Sequence, residues 1–244
     1  MLHNTFCRRL AALVLTLAVA LSAVLPVFAV YPMPVQTATE TEAVYLFNAD
    51  TGKTILSQNA DQQKYVASLT KLMTMILMLE SYQDQLDTIS ITAPGYIYDY
   101  LYGKNASTAD IWKDETHTLR SLLYAMLLPS ANEAAYIVAD YMSGSSIDNF
   151  VAMMNQKAQE LGCTSTSFTC VHGLYDYGNV SSAHDLALIA SACAANETYM
   201  KAANTLSYTL PATNLHQNER TITSTNLMLN PELSLIHISE PTRP

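Results

Sequence analysis

The sequence predicts an α+β fold, a helical body with β-structure at its N-terminal end and the start of more near its C-terminus. Three observations point there. Ala43–Phe47 and Thr54–Gln58 are short β-rich runs, and Asn48, Asp50 and Gly52 between them give the composition of a hairpin. Several later segments carry helical apolar patterning bounded by cap residues, glycine or proline. Thr205–Leu210 and the segment near Thr221 return to an extended pattern.

Taken in order, the chain opens with Arg8 and Arg9, an apolar run from Leu10 to Leu25, then Pro26 and the small-residue site Val27-Phe28-Ala29. That order is expected of a secretory signal cleaved after Ala29, residues 1–29, with a membrane-spanning anchor as the competing reading. Either way the remainder is expected outside the cytoplasm. Residues 30–42, rich in Pro, Thr and Glu, read as a flexible leader. After the hairpin, Ser68 to about Tyr82 forms a helix apolar on nearly every side, which predicts burial at the protein's centre. "TISITAP" is expected to be a short strand or extended loop, followed by a polar, Tyr-rich segment to Glu115.

Thr118–Leu128 is helical in pattern and Pro129 breaks it, before "ANEAAYIVADYM" starts another helix. "SIDNFVAMMNQKAQELG" is a further helix, with Ser146 at its N-cap and Gly162 at its stop. "SSAHDLALIASACAA" is another, capped by Ser181 or Ser182. Beyond residue 29, roughly 200 residues remain, enough for one sizeable domain. The net charge of −9 includes the two arginines of the leading segment, and no basic run exists to track phosphates, which argues against nucleic-acid binding. Cys163, Cys170 and Cys193 cannot all pair within one chain and lack zinc-ligand spacing, so they are expected to be core or near-surface thiols.

Ser68 and Lys71 stand one helical turn apart at the head of the most apolar helix. A lysine there has a poor route to water, and burial lowers an ammonium pKa until a neutral amine becomes accessible. Such an amine can take the proton of a serine hydroxyl on the same face. Alone, Ser-x-x-Lys recurs by chance in many chains and is better read as a capping serine beside a surface lysine. Ser130 and Asn132 add specificity: they follow the Pro129 break between two apolar helices, where a hydroxyl and an amide can point into a cleft. Ser130 could also cap the helix that follows. His172, His184 and His216 are scattered and read as surface or loop residues. The tyrosines of "GYIYDYLYG" could edge a substrate cleft or pack against the helical body.

From about Val44 to about Leu229 the chain resembles the D-alanyl-D-alanine carboxypeptidases, low-molecular-weight penicillin-binding proteins. The residues that carry the likeness are "NADTGKTILSQNAD", "ASLTKLMT", "LLPSANEAA", "FVAMMNQKAQELG", "HGL", "SSAHDLALIA" and "STNLML", all in family order. The resemblance implies the penicillin-binding-protein/β-lactamase-like transpeptidase fold, a helical cluster packed on an antiparallel sheet. It implies that Ser68 is the acyl-ester nucleophile, Lys71 the general base, Ser130 the proton relay, and Asn132 the residue that positions substrate and lysine. The implied partners are the peptidoglycan stem pentapeptide and, as covalent inhibitors, β-lactam antibiotics. No metal or organic cofactor is implied. A β-lactamase and a non-catalytic binder of wall peptides are the rival readings. Intact Ser68, Lys71, Ser130 and Asn132 argue against the binder, and the absence of a separate acidic deacylation motif argues against the β-lactamase.

The chain departs from the family near its end. The family's third motif, Lys-Thr-Gly, does not follow "STNLML", and "CVHGL" replaces the usual Asn-Pro lead-in at the His172 turn. Leu233–Pro244, "LSLIHISEPTRP", resembles translated library adapter, with a divergent native tail as the alternative. The expected organisation is therefore a truncated catalytic domain over 43–232 and an artefactual tail over 233–244. The later strands of the family's five-stranded sheet, its C-terminal β-rich domain and its amphipathic membrane anchor would be absent. The 244-residue chain is accordingly expected to be unstable and inactive by itself, with an exposed edge on its first hairpin.

Overall fold

The computed structural model describes residues 42–229, which lie in one compact unit. The expected signal segment, most of the leader and the adapter-like tail lie outside the described residues. The first hairpin forms as expected: β1 (Val44–Phe47) pairs antiparallel with β2 (Thr54–Gln58). Asn48 closes the turn by accepting from the Thr51 N–H, and Gly52 supplies a φ of +67°. β3 (Lys64–Tyr65) leads into a 3-10 turn over Ala67–Thr70 and then α1 (Lys71–Tyr82). Ser68 therefore sits on the tight turn ahead of the α-helix rather than within the helix that the sequence predicted.

β4 (Ser90–Thr92) is followed by α2 (Gly95–Leu101), a helix inside the Tyr-rich segment that the sequence reading left without structure. β5 (Thr116–Thr118) pairs with β4, and α3 (Leu119–Leu127) follows at once, capped by the Thr118 hydroxyl. α4 (Asn132–Met142) and α5 (Ile147–Glu160) complete the helical body, α5 with Ser146 as its N-cap and Gly162 at φ +83° beyond its end. β6 (Val180–Ser181) pairs with β3 across more than a hundred residues. Of the two candidate caps before α6 (Ala183–Ala194), Ser182 is the one that accepts from the Asp185 N–H. α7 (Glu197–Ala203), capped by Asn196, precedes the last pair, β7 (Ser207–Leu210) with β8 (Arg220–Thr223).

Among the described residues the antiparallel β-structure is thus four two-stranded pairs arranged around helices. The all-round apolarity of α1 has a structural cause, because two cores meet on it. Met75, Met78 and Leu79 pack with Leu122, Leu123, Met126 and Ile137 of α3 and α4. Met73, Ile76 and Leu77 pack on the other side with Phe150, Met154, Phe168 and Ile189. Each such side chain contributes about 1.5–3 kcal/mol by leaving water, so the head of α1 is held from two directions at once. No helix of the described residues is long and apolar enough to cross a membrane.

Candidate active site

The head of α1 is fixed by buried polar ties as well as by packing. The Asn179 amide donates to the Thr70 hydroxyl at 2.8 Å and accepts from the Thr169 N–H at 3.2 Å. The Thr74 hydroxyl donates to the Val171 carbonyl at 2.7 Å. These bonds clamp the segment 169–179 against the turn that carries Ser68. Gly173 makes the closest approach: a Cβ placed there would stand 1.9 Å from the Ala67 carbonyl oxygen, and its φ is +82°. Ala67 itself adopts a φ of +44°, a conformation that costs a residue with a side chain of order 1–3 kcal/mol. The backbone on both sides of this contact is shaped to aim Ser68.

A second strained residue faces the first. Ser130 has a φ of +62° after Pro129, and the Ala131 N–H reaches back to the Ala125 carbonyl at 2.9 Å. Ser130 does not cap α4; the N-cap is Ala131, which has no side-chain cap bond. The Asn132 N–H donates to the Ser107 carbonyl at 2.8 Å, which seats the start of α4 on the loop before β5.

These turns bring all four candidate side chains to one nitrogen. Lys71 Nζ lies 2.9 Å from Ser68 Oγ, 3.3 Å from Ser130 Oγ and 2.7 Å from Asn132 Oδ1. Its three donor positions have three acceptors, although the side chain is only 1 % exposed. Ser68 is exposed above it, Ser130 is half-buried and Asn132 is buried. A buried amine thus stands directly beneath a hydroxyl that is open to an incoming molecule.

Burial lowers the Lys71 pKa to about 8, against an opposing electrostatic pull led by Glu133. At that value about one lysine in ten is a neutral amine at pH 7, and it can accept the Ser68 proton without leaving its place. Burial raises the Glu133 pKa, while bonds from the Thr108 hydroxyl and the Ala109 N–H, each at 2.7 Å, oppose the rise. This carboxylate anchors the same loop that Asn132 holds.

His172 is a correction to the sequence reading. It lies in a loop, as one arm of that reading had it, but it is buried rather than at the surface, and it packs against the rings of Tyr100 and Tyr136. Its Nδ1 accepts from the Leu174 N–H at 3.1 Å, and burial with the nearby positive charges of Lys71 and Lys104 lowers its pKa to about 4. His184 and His216 lie away from Lys71, paired with Asp61 and Glu115 respectively. Cys163, Cys170 and Cys193 are free thiols, the last two buried. Sequence reasoning missed Glu133, Asn179 and the structural work of Gly173. The glycine after His172 inside "HGL" was the one visible sign of a demanding turn.

Comparison with known proteins gives a consistent picture. Residues 31–233 match the family described as D-alanyl-D-alanine carboxypeptidase. The D-alanyl-D-alanine carboxypeptidase of Streptomyces sp. strain K15 is 34 % identical over 170 residues, which cover 68 % of this chain and 58 % of the relative. DacF of Bacillus subtilis, also a D-alanyl-D-alanine carboxypeptidase, is 33 % identical over 153 residues, covering 62 % of this chain and 38 % of DacF. The chain therefore spans between about two fifths and three fifths of the length of these relatives. Among solved structures, a Ser→Ala mutant of the Streptomyces K15 DD-transpeptidase superposes with a TM-score of 0.73 at 30 % identity, over 80 % of this chain and 78 % of that one. Penicillin-binding protein 6B of Escherichia coli superposes at 0.67 with 28 % identity, over 81 % of this chain and 62 % of its own.

Proposed function

This chain belongs to the D-alanyl-D-alanine carboxypeptidase family, and on that premise we propose that it acts on peptidoglycan stem pentapeptides through an acyl-enzyme on Ser68. The observation that carries the proposal is the convergence of Ser68, Ser130 and Asn132 on the buried nitrogen of Lys71.

In this mechanism neutral Lys71 takes the Ser68 proton as Oγ bonds to the carbonyl carbon of the penultimate D-alanine. The carbon–nitrogen bond to the terminal D-alanine breaks. Its amine leaves with a proton passed from Lys71 through the Ser130 hydroxyl. Asn132 holds the lysine and offers its amide N–H to the substrate backbone. Water then attacks the ester, Lys71 takes the water's proton, and Ser68 is regenerated as the shortened peptide departs. β-Lactams, shaped like the dipeptide, would acylate the same oxygen and leave slowly. No step requires a metal or an organic cofactor. The substrate lies in the cell wall, so we place the protein outside the cytoplasm, exported by its N-terminal segment.

Labelled penicillin offered to the intact gene product, sequenced independently past the codon for Glu232, tests this. Covalent label is expected on the parent, with none on Ser68→Ala. Equal labelling of the Ser68→Ala protein would reject Ser68 as the nucleophile.

A further inference from the structure

Three exposed tyrosines lie on the segments next to Ser68, and the mechanism above gives them no task. Tyr65 is 56 % exposed, Tyr175 is 80 % exposed and Tyr177 is 85 % exposed. The rings of Tyr65 and Tyr175 lie 5.4 Å apart at 48°. Monomeric proteins rarely leave large aromatic rings clustered in water unless something binds there. Tyr65 stands just before the turn that carries Ser68, and Tyr175 and Tyr177 follow Gly173, which packs against that turn.

We propose that Tyr65, Tyr175 and Tyr177 form a carbohydrate subsite that stacks on an N-acetylhexosamine ring of the glycan strand bearing the stem peptide. The proposal rests on the substrate class proposed above and extends it from the peptide to the sugar. Its first support is distance. Tyr65 precedes Ser68 by three residues, so their Cα atoms are at most about 11 Å apart. Tyr175 follows Gly173 by two residues, at most about 7 Å of chain, and a Cβ on Gly173 would lie 2.8 Å from the Ser68 nitrogen. The scissile carbonyl of a stem pentapeptide is separated from the sugar's lactyl group by four residues, roughly 13–14 Å when extended. Tyr65 and Tyr175 therefore stand within the reach of a sugar carried on a peptide cut at Ser68.

The second support is chemical. A hexosamine presents a face of C–H bonds ringed by hydroxyl and amide groups. A tyrosine presents a flat apolar ring with a polar tip, matching the sugar on both counts. The third is charge. A net charge of −9 with no basic cluster disfavours an anionic lipid surface as the occupant, whereas a neutral sugar face is indifferent to it.

Insoluble glycan strands stripped of their peptides provide the test, because their binding requires no catalysis. Co-sedimentation of the intact gene product carrying Ser68→Ala is expected. Adding Tyr175→Ala with Tyr177→Ala should weaken it about fivefold or more, while Tyr175→Phe with Tyr177→Phe should largely preserve it because the rings remain. With Ser68 restored, the double alanine variant should cleave a sugar-free pentapeptide as the parent does and a disaccharide-pentapeptide several-fold less efficiently. Equal sedimentation of the parent and the double alanine variant would overturn the subsite. So would loss of sedimentation in the phenylalanine variant equal to that in the alanine variant. Tyrosine-dependent binding to zwitterionic lipid vesicles, or a tyrosine-dependent dimer, without glycan binding would assign these rings to another occupant and overturn the subsite as well. Failure of the parent to cleave the sugar-free peptide would instead count against the proposed reaction, since glycan binding is read separately.

Discussion

Lys71 holds the ammonium and amine forms in balance through two opposed effects. Burial disfavours the charge and brings the pKa to about 8, while three acceptors within 3.3 Å keep the charged form hydrogen-bonded. The proposed base is the uncharged amine, so the rate of penicillin acylation is expected to climb from pH 6 to pH 9 with a midpoint near 8. A pH–rate series with stopped-flow or gel-based labelling measures it, and a flat profile would remove Lys71 from the role of base. Lys71→Arg keeps a positive charge that cannot be shed near neutral pH. It should lower acylation by about a hundredfold or more, the scale of a lost general base. Linkage works in the same direction for stability. The folded chain gives up this proton at about 8 and the unfolded chain near 10.5, so this group's contribution to stability rises with pH across that interval.

Elements earn their positions here through turns more than through helix propensity. Gly173→Ala would need a φ of +82° and would drive a Cβ into the backbone of Ala67, which cannot swing aside as a flexible side chain would. The expected result is a loss of about 2 kcal/mol or more of stability from strain and displacement, with penicillin labelling reduced beyond what that loss explains. Gly103→Ala is the control: its φ is +72°, yet nothing lies within 4 Å of the added carbon, so labelling should survive. Thermal unfolding and labelling measured side by side separate the two effects. The same contrast explains what the sequence could tell. α3, α5 and α6 were legible because Thr118, Ser146 and Ser182 stand at their starts in front of periodic apolar runs. α2 was hidden because three tyrosines and one aspartate blur its periodicity, and its burial rests mainly on Ile97. Ser68 and Lys71 were legible as a pair only together with Ser130 and Asn132 after the proline break, since their spacing alone fits a capping serine beside a surface lysine. The buried contacts of Glu133, His172 and Asn179 were not, because their partners lie 24 to 109 residues away or depend on a turn that only the folded chain defines.

At the scale of the whole molecule, two buried polar groups outside the candidate cluster around Lys71 are expected to govern how the fold responds to acid and to mutation. The unfolded chain protonates His172 near pH 6.5, but the folded chain resists until about 4. The stability this residue contributes is therefore lost as pH falls through that interval. Glu133, whose pKa is raised by burial, acts in the opposite sense. The clean observable is thus a difference: His172→Asn should be less stable than the parent at pH 7, and the gap in melting temperature should narrow toward pH 4. A gap that widens toward pH 4 would contradict a neutral buried imidazole.

The second group ties the C-terminal strands to the body. Glu115 is buried and receives Arg220 Nη2 at 2.7 Å, His216 Nδ1 at 2.9 Å and the Thr213 hydroxyl at 2.8 Å on one oxygen, and the Trp112 N–H at 2.8 Å on the other. His117 Nε2 stands 3.1 Å away without an aligned hydrogen bond. Although burial pushes the Glu115 pKa up, these donors hold it below the usual glutamate value. Arg220 begins β8 and also donates to the Asp110 carbonyl, so one guanidinium joins the last hairpin to the loop before β5. Removing it would leave a carboxylate in a dry site short of its only permanent positive charge. Arg220→Ala should therefore cost about 3 kcal/mol and lower the melting temperature by about 6–12 °C in a domain of this size. Arg120→Ala is the informative contrast, since its two bonds to Asp87 at 2.6 and 2.7 Å lie on the surface and such exposed pairs contribute about 0–1 kcal/mol. Calorimetry of the two variants decides the matter: if Arg120→Ala destabilised as much as Arg220→Ala, desolvation of Glu115 would not be what makes the second site matter.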